Sequence, residues 1–184
     1  MFHIKPDKRS QTSAGLVVEG LHSCLKEKPF SAITITDVQK ASTVGRATFY
    51  RLFDSLPDVL AYECDLIFQQ LITEGRTIAA KSNHDAFVYY FSVWMEHTYL
   101  LNAVTTSGHL EILYSAFQNH SREIGSIMSP DENLVDEEAD YLMKVVSLGM
   151  VGILEVWMKH GKKRSAEDLT VLFEKTLSTL YHSL

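Results

Sequence analysis

Apolar residues recur along this chain at three- and four-residue intervals almost from end to end, the spacing of one buried stripe on an α-helix. A first helix is predicted from about Lys8 to Lys28, with Ala14, Val17, Leu21, Cys24 and Leu25 on its stripe, stopped by Pro29. Thr36-Asp37-Val38-Gln39 reads as a capping box opening a very short second helix that ends near Ser42. A tight turn and a short third helix follow. Ser55-Leu56-Pro57-Asp58 then starts a long fourth helix, Leu56 to about Ala80, with Ser55 as N-cap and Asp58 near the positive end. After a polar break at Lys81–Asp85, a fifth helix (about His84–Thr98) carries Phe87, Phe91, Trp94 and Met95, and a short sixth runs through Leu100–Thr106. A seventh, about His109–Met128, groups Ile112, Leu113, Ala116 and Phe117. The acidic connector "SPDENLVDEEAD" leads to the last two helices, about Val135–His160 and Ser165–Leu184, joined by "GKKR". Strand-type alternation is limited to "AITIT", Ala32–Thr36. The pattern predicts an all-α fold of about nine helices.

The third helix departs from an ordinary surface helix. Wound at about 100° per residue, "TVGRATFYRLFDS" puts Phe49, Leu52 and Phe53 on one side. Arg46, Ala47, Tyr50 and Arg51 fall on the other, with Thr48 at its flank. One side fastens a short helix to a core. The other presents two guanidiniums, a phenol and a small residue, a combination suited to a DNA groove.

Charge sharpens this reading. The formal net charge is −6, yet residues 1–55 hold eight Lys/Arg against five Asp/Glu, and residues 56–184 hold nine against 18. A basic head on an acidic body suits a protein whose head meets phosphate. The division predicts a DNA-binding domain at 1–55 and a helical regulatory and dimerisation domain at 56–184. The polar start "MFHIKPDKRS" is not a secretory signal, and the most hydrophobic window, Val145–Leu154, has ten uncharged residues, too few to span a bilayer. Cys24 and Cys64, 40 positions apart in helical runs, are expected to be buried free thiols in a reducing cytoplasm.

A short capped helix, a turn and a second short helix make a helix-turn-helix, whose second helix enters the major groove. Arg46 at the start of that helix is placed to reach base edges, best a guanine O6/N7 pair. Tyr50 and Thr48 offer hydroxyls to phosphate oxygens, and Ala47 permits close approach and can touch a thymine methyl. Arg51, Lys40 and the N-terminal Lys8 and Arg9 supply counterion-releasing contacts.

The stretch "ITITDVQKASTVGRATFYRLFDSLPDVL" resembles the N-terminal domain of TetR/AcrR-family transcriptional regulators, in its Thr36 before Asp37-Val38 and its Thr48-x-Tyr50-x-x-Phe53. "GILEVWMKHGKKRSAEDL" is similar to the C-terminal region of some members. The resemblance implies three helices for DNA, a linking fourth and a helical body whose last two helices form a homodimer interface. It implies a DNA-binding set of Thr36, Lys40, Arg46, Ala47, Thr48, Tyr50 and Arg51, and a ligand-responsive repressor on a palindromic operator. Thr43 stands where the turn usually has Gly, Gly45 where the recognition helix usually has a Ser or Thr cap, Leu52 where His is common, and Leu56-Pro57 where many members have Lys. These departures keep open a second reading, a TetR-like regulator acting through a protein partner as a co-activator.

In the body, Phe91, Trp94, Met95 and Phe117 are candidates for lining a pocket for a small hydrophobic effector, with core packing the favoured reading of any one of them. Val145, Leu148, Gly149, Gly152 and Val156, with Leu172 and Leu180 of the last helix, are candidates for the dimer interface; a buried intrachain helix would have similar residues. No cofactor, metal or membrane partner is called for. The chain holds a single Glu-x-x-His, Glu19 to His22, where a di-metal bundle needs two, and it carries no glycine-rich phosphate loop or nucleophile elbow. An enzyme is not expected.

Overall fold

The helical period is realised as ten α-helices and one 3₁₀ turn among the residues that the computed structural model describes, which are 1–79, 82–128 and 136–182, less the side chains of 79, 128, 136 and 180–182. In chain order they are α1 (Lys8–Glu27), the 3₁₀ turn Phe30–Ala32, α2 (Ile35–Ser42), α3 (Arg46–Leu52), α4 (Leu56–Ala79) and α5 (Asn83–Glu96). The remainder are α6 (Thr98–Thr106), α7 (Glu111–Asn119), α8 (Ser121–Met128), α9 (Asp136–Lys159) and α10 (Ala166–His182). The all-α expectation holds. Lys81 and residues 129–135 of the acidic connector lie outside the described residues.

Two compact units emerge. The first joins Met1–Leu66 to Asn102–Leu113. Its core is Val17, Leu21, Val38, Phe49, Phe53, Val59 and Leu60, all fully buried. α1 packs on α2 and α3, and the crossing with α2 depends on Gly20. A Cβ added there would lie 2.7 Å from Ser42 Cβ and 2.9 Å from the Val38 carbonyl oxygen. His22 Nε2 on α1 lies 2.7 Å from Glu63 Oε1 on α4, so the single Glu-x-x-His pair contributes its imidazole to a helix–helix link.

One local reading holds in this unit and one is corrected. "AITIT" forms no strand: it continues from the 3₁₀ turn, buries Ile33 and enters α2. The capping box of α2 stands two residues earlier than Thr36–Gln39. Thr34 is the N-cap, its Oγ1 accepting from Asp37 N at 3.2 Å while Asp37 Oδ2 accepts from Thr34 N at 2.8 Å. Asp37 Oδ2 also accepts from Lys28 Nζ at 2.7 Å, and this third partner favours the earlier start. Gln39 Nε2 is buried without a hydrogen-bond partner among the described residues. The start of α4 is as read, Ser55 N and Oγ both donating to Asp58 Oδ2 at 2.9 Å.

The second unit joins Ile67–Leu101 to Tyr114–Leu184. α10 packs on α5 and α9, and α8 on α9. Phe68, Phe91, Trp94, Phe117, Val151 and Phe173 are fully or almost fully buried. The Phe87 and Phe173 rings meet edge to face at 5.1 Å, tying α5 to α10. The helix read as continuous over 109–128 is broken at His120, whose N–H bonds back only three residues to the Phe117 carbonyl (3.1 Å) and whose Nδ1 turns to Glu123 (3.2 Å). A tightened last turn followed by a polar residue is how one helix ends and a second begins.

Candidate nucleic-acid interface

α2 and α3 are joined by Thr43-Val44-Gly45, and each residue has a distinct part. Thr43 closes α2 in the left-handed region at φ 58° and ψ 12°. The turn therefore keeps the left-handed backbone at this position although a β-branched side chain resists it. Val44 is buried, and its N–H donates to Ser42 Oγ at 3.2 Å. Gly45 is the extended N-cap of α3 and, with no side chain, leaves the first N–H groups of α3 without a side-chain cap.

Phe49, Leu52 and Phe53 are buried at 0–1% exposure and fix α3 in the unit. Arg46, Ala47, Tyr50 and Arg51 are exposed and Thr48 is half-buried; Thr36 and Lys40 on α2 are exposed as well. Tyr50 keeps 44% of its surface open, which is high for an aromatic ring on a short helix that buries Phe49 and Leu52. The Arg46 guanidinium carbon stands 5.6 Å from the centre of the Tyr50 ring, one turn on, a cation–π pairing that holds the guanidinium extended along the helix. Lys28 is engaged by Asp37. That cation and the Thr34 hydrogen bonds hold the Asp37 carboxyl well below the usual carboxylate range. Lys40, Arg46 and Arg51 have no carboxylate partner among the described residues. Charges kept unpaired on one short surface are what a polyanion needs.

In the second unit, the candidate pocket residues separate. Phe91 and Trp94 are fully buried core rings: Phe91 packs edge to face on Tyr90 at 5.3 Å, and Trp94 lies 5.6 Å from Phe68. Met95 is half-buried. Phe117 alone of the four borders a small apolar cavity of about 50 Å³, with Phe68 and Ile72 from α4, Tyr90 from α5, Ile124 from α8 and Met150 from α9. Tyr89, also on its wall, donates its hydroxyl to Glu74, and burial followed by that carboxylate pushes the phenol up to about 12. The aromatic spacing within the fifth helix gave no sign of the lining from α4, α8 and α9. Cys24 and Cys64 are free and buried, and burial raises both thiols.

α9 and α10 carry an exposed apolar ridge. Val145, Leu148, Val156 and Leu172 are 55, 46, 54 and 40% exposed, and Tyr141, Leu142 and Val171 extend the patch. Gly152 has open space where a Cβ would stand. Gly149 is used inside the unit, with Phe173 Cε2 at 2.9 Å from its Cβ position. The Leu180 side chain lies outside the described residues. By length and composition alone, Glu137–Lys159 is long and apolar enough to cross a membrane, a longer span than the ten-residue window indicated. Its Met143, Val146, Met150, Val151, Leu154 and Trp157 are nevertheless buried in the unit, as in a core helix.

Residues 81–179 match the model of a TetR-type transcriptional regulator C-terminal region, and the chain belongs to the TetR family of transcriptional regulators. The crystal structure of a TetR transcriptional regulator from Streptococcus agalactiae 2603V superimposes with a TM-score of 0.62 at 21% identity, covering 90% of this chain and 93% of that one. At that identity the likeness is one of fold. No curated protein sequence matches the chain.

Proposed function

We propose that this regulator binds a palindromic operator as a homodimer, residues 1–55 meeting the DNA and residues 56–184 providing dimerisation and effector response. The observation that carries the reading is the outward face of α3: Arg46, Ala47, Tyr50 and Arg51 are exposed while Phe49 and Leu52 of the same two turns are buried. Arg46 reads a base pair in the major groove, Ala47 allows the approach, and Tyr50, Thr48, Thr36, Lys40 and Arg51 hold the backbone. The apolar ridge on α9 and α10 supports pairing with a second copy, since a two-fold interface presents the same patch twice. Effector response and repression follow from the family reading; the apolar cavity beside Phe117, at about 50 Å³, marks where the body would have to open to admit a small hydrophobic molecule.

Sequencing of genomic fragments retained by the purified protein tests this. An enriched palindrome with half-sites about one helical turn apart, or a multiple of that, is the expected result. The uncapped start of α3, which offers no hydroxyl to a phosphate, favours a second reading, in which DNA is held weakly and the protein acts through a partner. Retention of no fragment together with co-purification of a second regulator would support that alternative.

A further inference from the structure

The first five residues do not trail away from the head. Phe2 forms an antiparallel bridge with Phe53, its neighbour His3 donates its backbone N–H to the Leu52 carbonyl at 2.8 Å, and Asp54 N donates to the Met1 carbonyl at 3.3 Å. The strap thereby satisfies the carbonyl of the last residue of α3, one of those a helix end leaves without a partner. Side chains reinforce it: the Phe2 ring meets Tyr62 edge to face at 5.4 Å, and His3 Nε2 lies 3.0 Å from Asp54 Oδ1. At its far end the Lys5 N–H donates to Ser10 Oγ, a buried hydroxyl in the first turn of α1, at 3.1 Å. Lys5 is therefore placed by contacts at both ends of a short segment.

That placement creates a recess of about 130 Å³ where three pieces of chain meet: Lys5 from the strap, Arg9 and Ser10 from the first turn of α1, and Arg51 from the last turn of α3. Lys5, Arg9 and Arg51 are exposed, and none has a carboxylate partner among the described residues. Asp7 also borders the recess, but its Oδ1 is engaged as the N-cap of α1, accepting from Ser10 N at 2.9 Å. The volume equals that of roughly four waters at about 30 Å³ each. Lys5, Arg9 and Arg51 line the recess against the single carboxylate of Asp7, and this excess of positive charge makes it a site for a tetrahedral oxyanion.

The geometry points to a phosphate seat: the recess of Lys5, Arg9 and Arg51 takes one backbone phosphate of duplex DNA, and the strap Met1–Lys5 is the positioning element that assembles it. This rests on the DNA-binding reading above and adds to it a contact outside the groove that Arg46 reads. Arg51 belongs to both, so the seat fixes where α3 sits along the duplex. Phe2 and His3 act through Lys5 and touch no DNA.

The test uses the full chain and a random-sequence duplex of about two helical turns, titrated over a range of salt concentrations. Lys5→Ala lowers the slope of log K against log salt by about 1 and, at about 0.1 M salt, weakens binding by roughly eightfold, the value for one phosphate contact that vanishes near 1 M. Lys5→Arg restores both. Lys26→Ala, which removes the same charge from the other end of α1, leaves both unchanged. Phe2→Ala removes no charge yet weakens the duplex by releasing Lys5, with the helical circular dichroism spectrum and unfolding midpoint recorded to show an intact head. Equal effects of Lys5→Ala and Lys26→Ala, or a Phe2→Ala protein that is folded and binds as wild type does, overturn the phosphate seat while leaving DNA binding in place. A wild-type protein that binds no duplex at low salt overturns the DNA-binding reading and the seat with it.

Discussion

Gly20 on α1 and Ser42 on α2 approach so closely that a methyl group on Gly20 would lie 2.7 Å from Ser42 Cβ. The neighbours at that point are backbone and a Cβ, and neither can swing aside. Gly20→Ala gains roughly 1 kcal/mol of helix propensity but forces α1 and α2 apart, an overpacking cost of about 1–3 kcal/mol. The expected outcome is a net loss of stability and weaker DNA binding, because α2 carries Thr36 and Lys40. Chemical denaturation beside a DNA titration checks both.

Thr43→Gly should act in the opposite direction. The left-handed backbone at φ 58° costs a non-glycine residue about 1–2 kcal/mol, of which glycine's extra freedom in the unfolded chain takes back about 0.5–1. The net gain, on the order of 1 kcal/mol, corresponds to a rise in unfolding midpoint of about 2–4 °C. The Thr43 side chain is exposed, so no packing is lost. A fall in midpoint would show that Thr43 is held by more than its backbone.

How much of this was legible in the sequence depended on whether one element sufficed to decide it. The two faces of α3 were readable because Phe49, Leu52 and Phe53 lie at helical spacing within a single short segment. The start of α2 was not, since Thr34-x-x-Asp37 and Thr36-x-x-Gln39 are both capping patterns and Lys28, nine residues before Asp37, favours the first. The α7–α8 break was hidden because apolar spacing continues through it, from Ile112 and Phe117 to Ile124. The cavity lining was missed for a related reason. Phe91 and Trp94 turn into the core while Phe87, Tyr89 and Tyr90 of the same helix face the cavity, whose wall is shared with α4, α8 and α9, and only tertiary packing brings those helices together. Gly20 looked like any helix glycine until α2 was placed against it.

The His84 ring lies between two carboxylates of α10, its Nδ1 3.1 Å from Glu174 and its Nε2 3.0 Å from Glu167. Both nitrogens can donate only when the ring is protonated. The Glu174 bond, then the Glu167 bond, raise the pKa above its ordinary value of about 6.5. A raised folded-state pKa means that the tie between α5 and α10 is fully present below about pH 6.5 and fades as pH rises through the folded value. The stability difference between wild type and His84→Ala should therefore be larger at about pH 6 than at about pH 9, measured by denaturant titration at each pH. A difference that grows with pH would contradict the clasp.

Leu148→Glu tests the exposed ridge. Leu148 is 46% exposed in the single chain, so a carboxylate there leaves the fold intact. In a two-fold interface the same charge is buried twice and meets its own copy. Light scattering should show a monomer at concentrations where wild type is a dimer, with the unfolding of each chain little changed. A variant that remains dimeric would place the interface elsewhere.

The outward face of α3 is the claim on which the rest depends, and base-by-base binding tests it most directly. On a duplex recovered from retained genomic fragments, wild type should lose about 1–3 kcal/mol when the G·C pair read by Arg46 is changed. Arg46→Ala should bind the original and changed duplexes alike, whereas Lys40→Ala should weaken every duplex by the same factor and keep the preference. Indistinguishable profiles for the two variants, or an Arg46→Ala protein that still discriminates at that pair, would contradict the account.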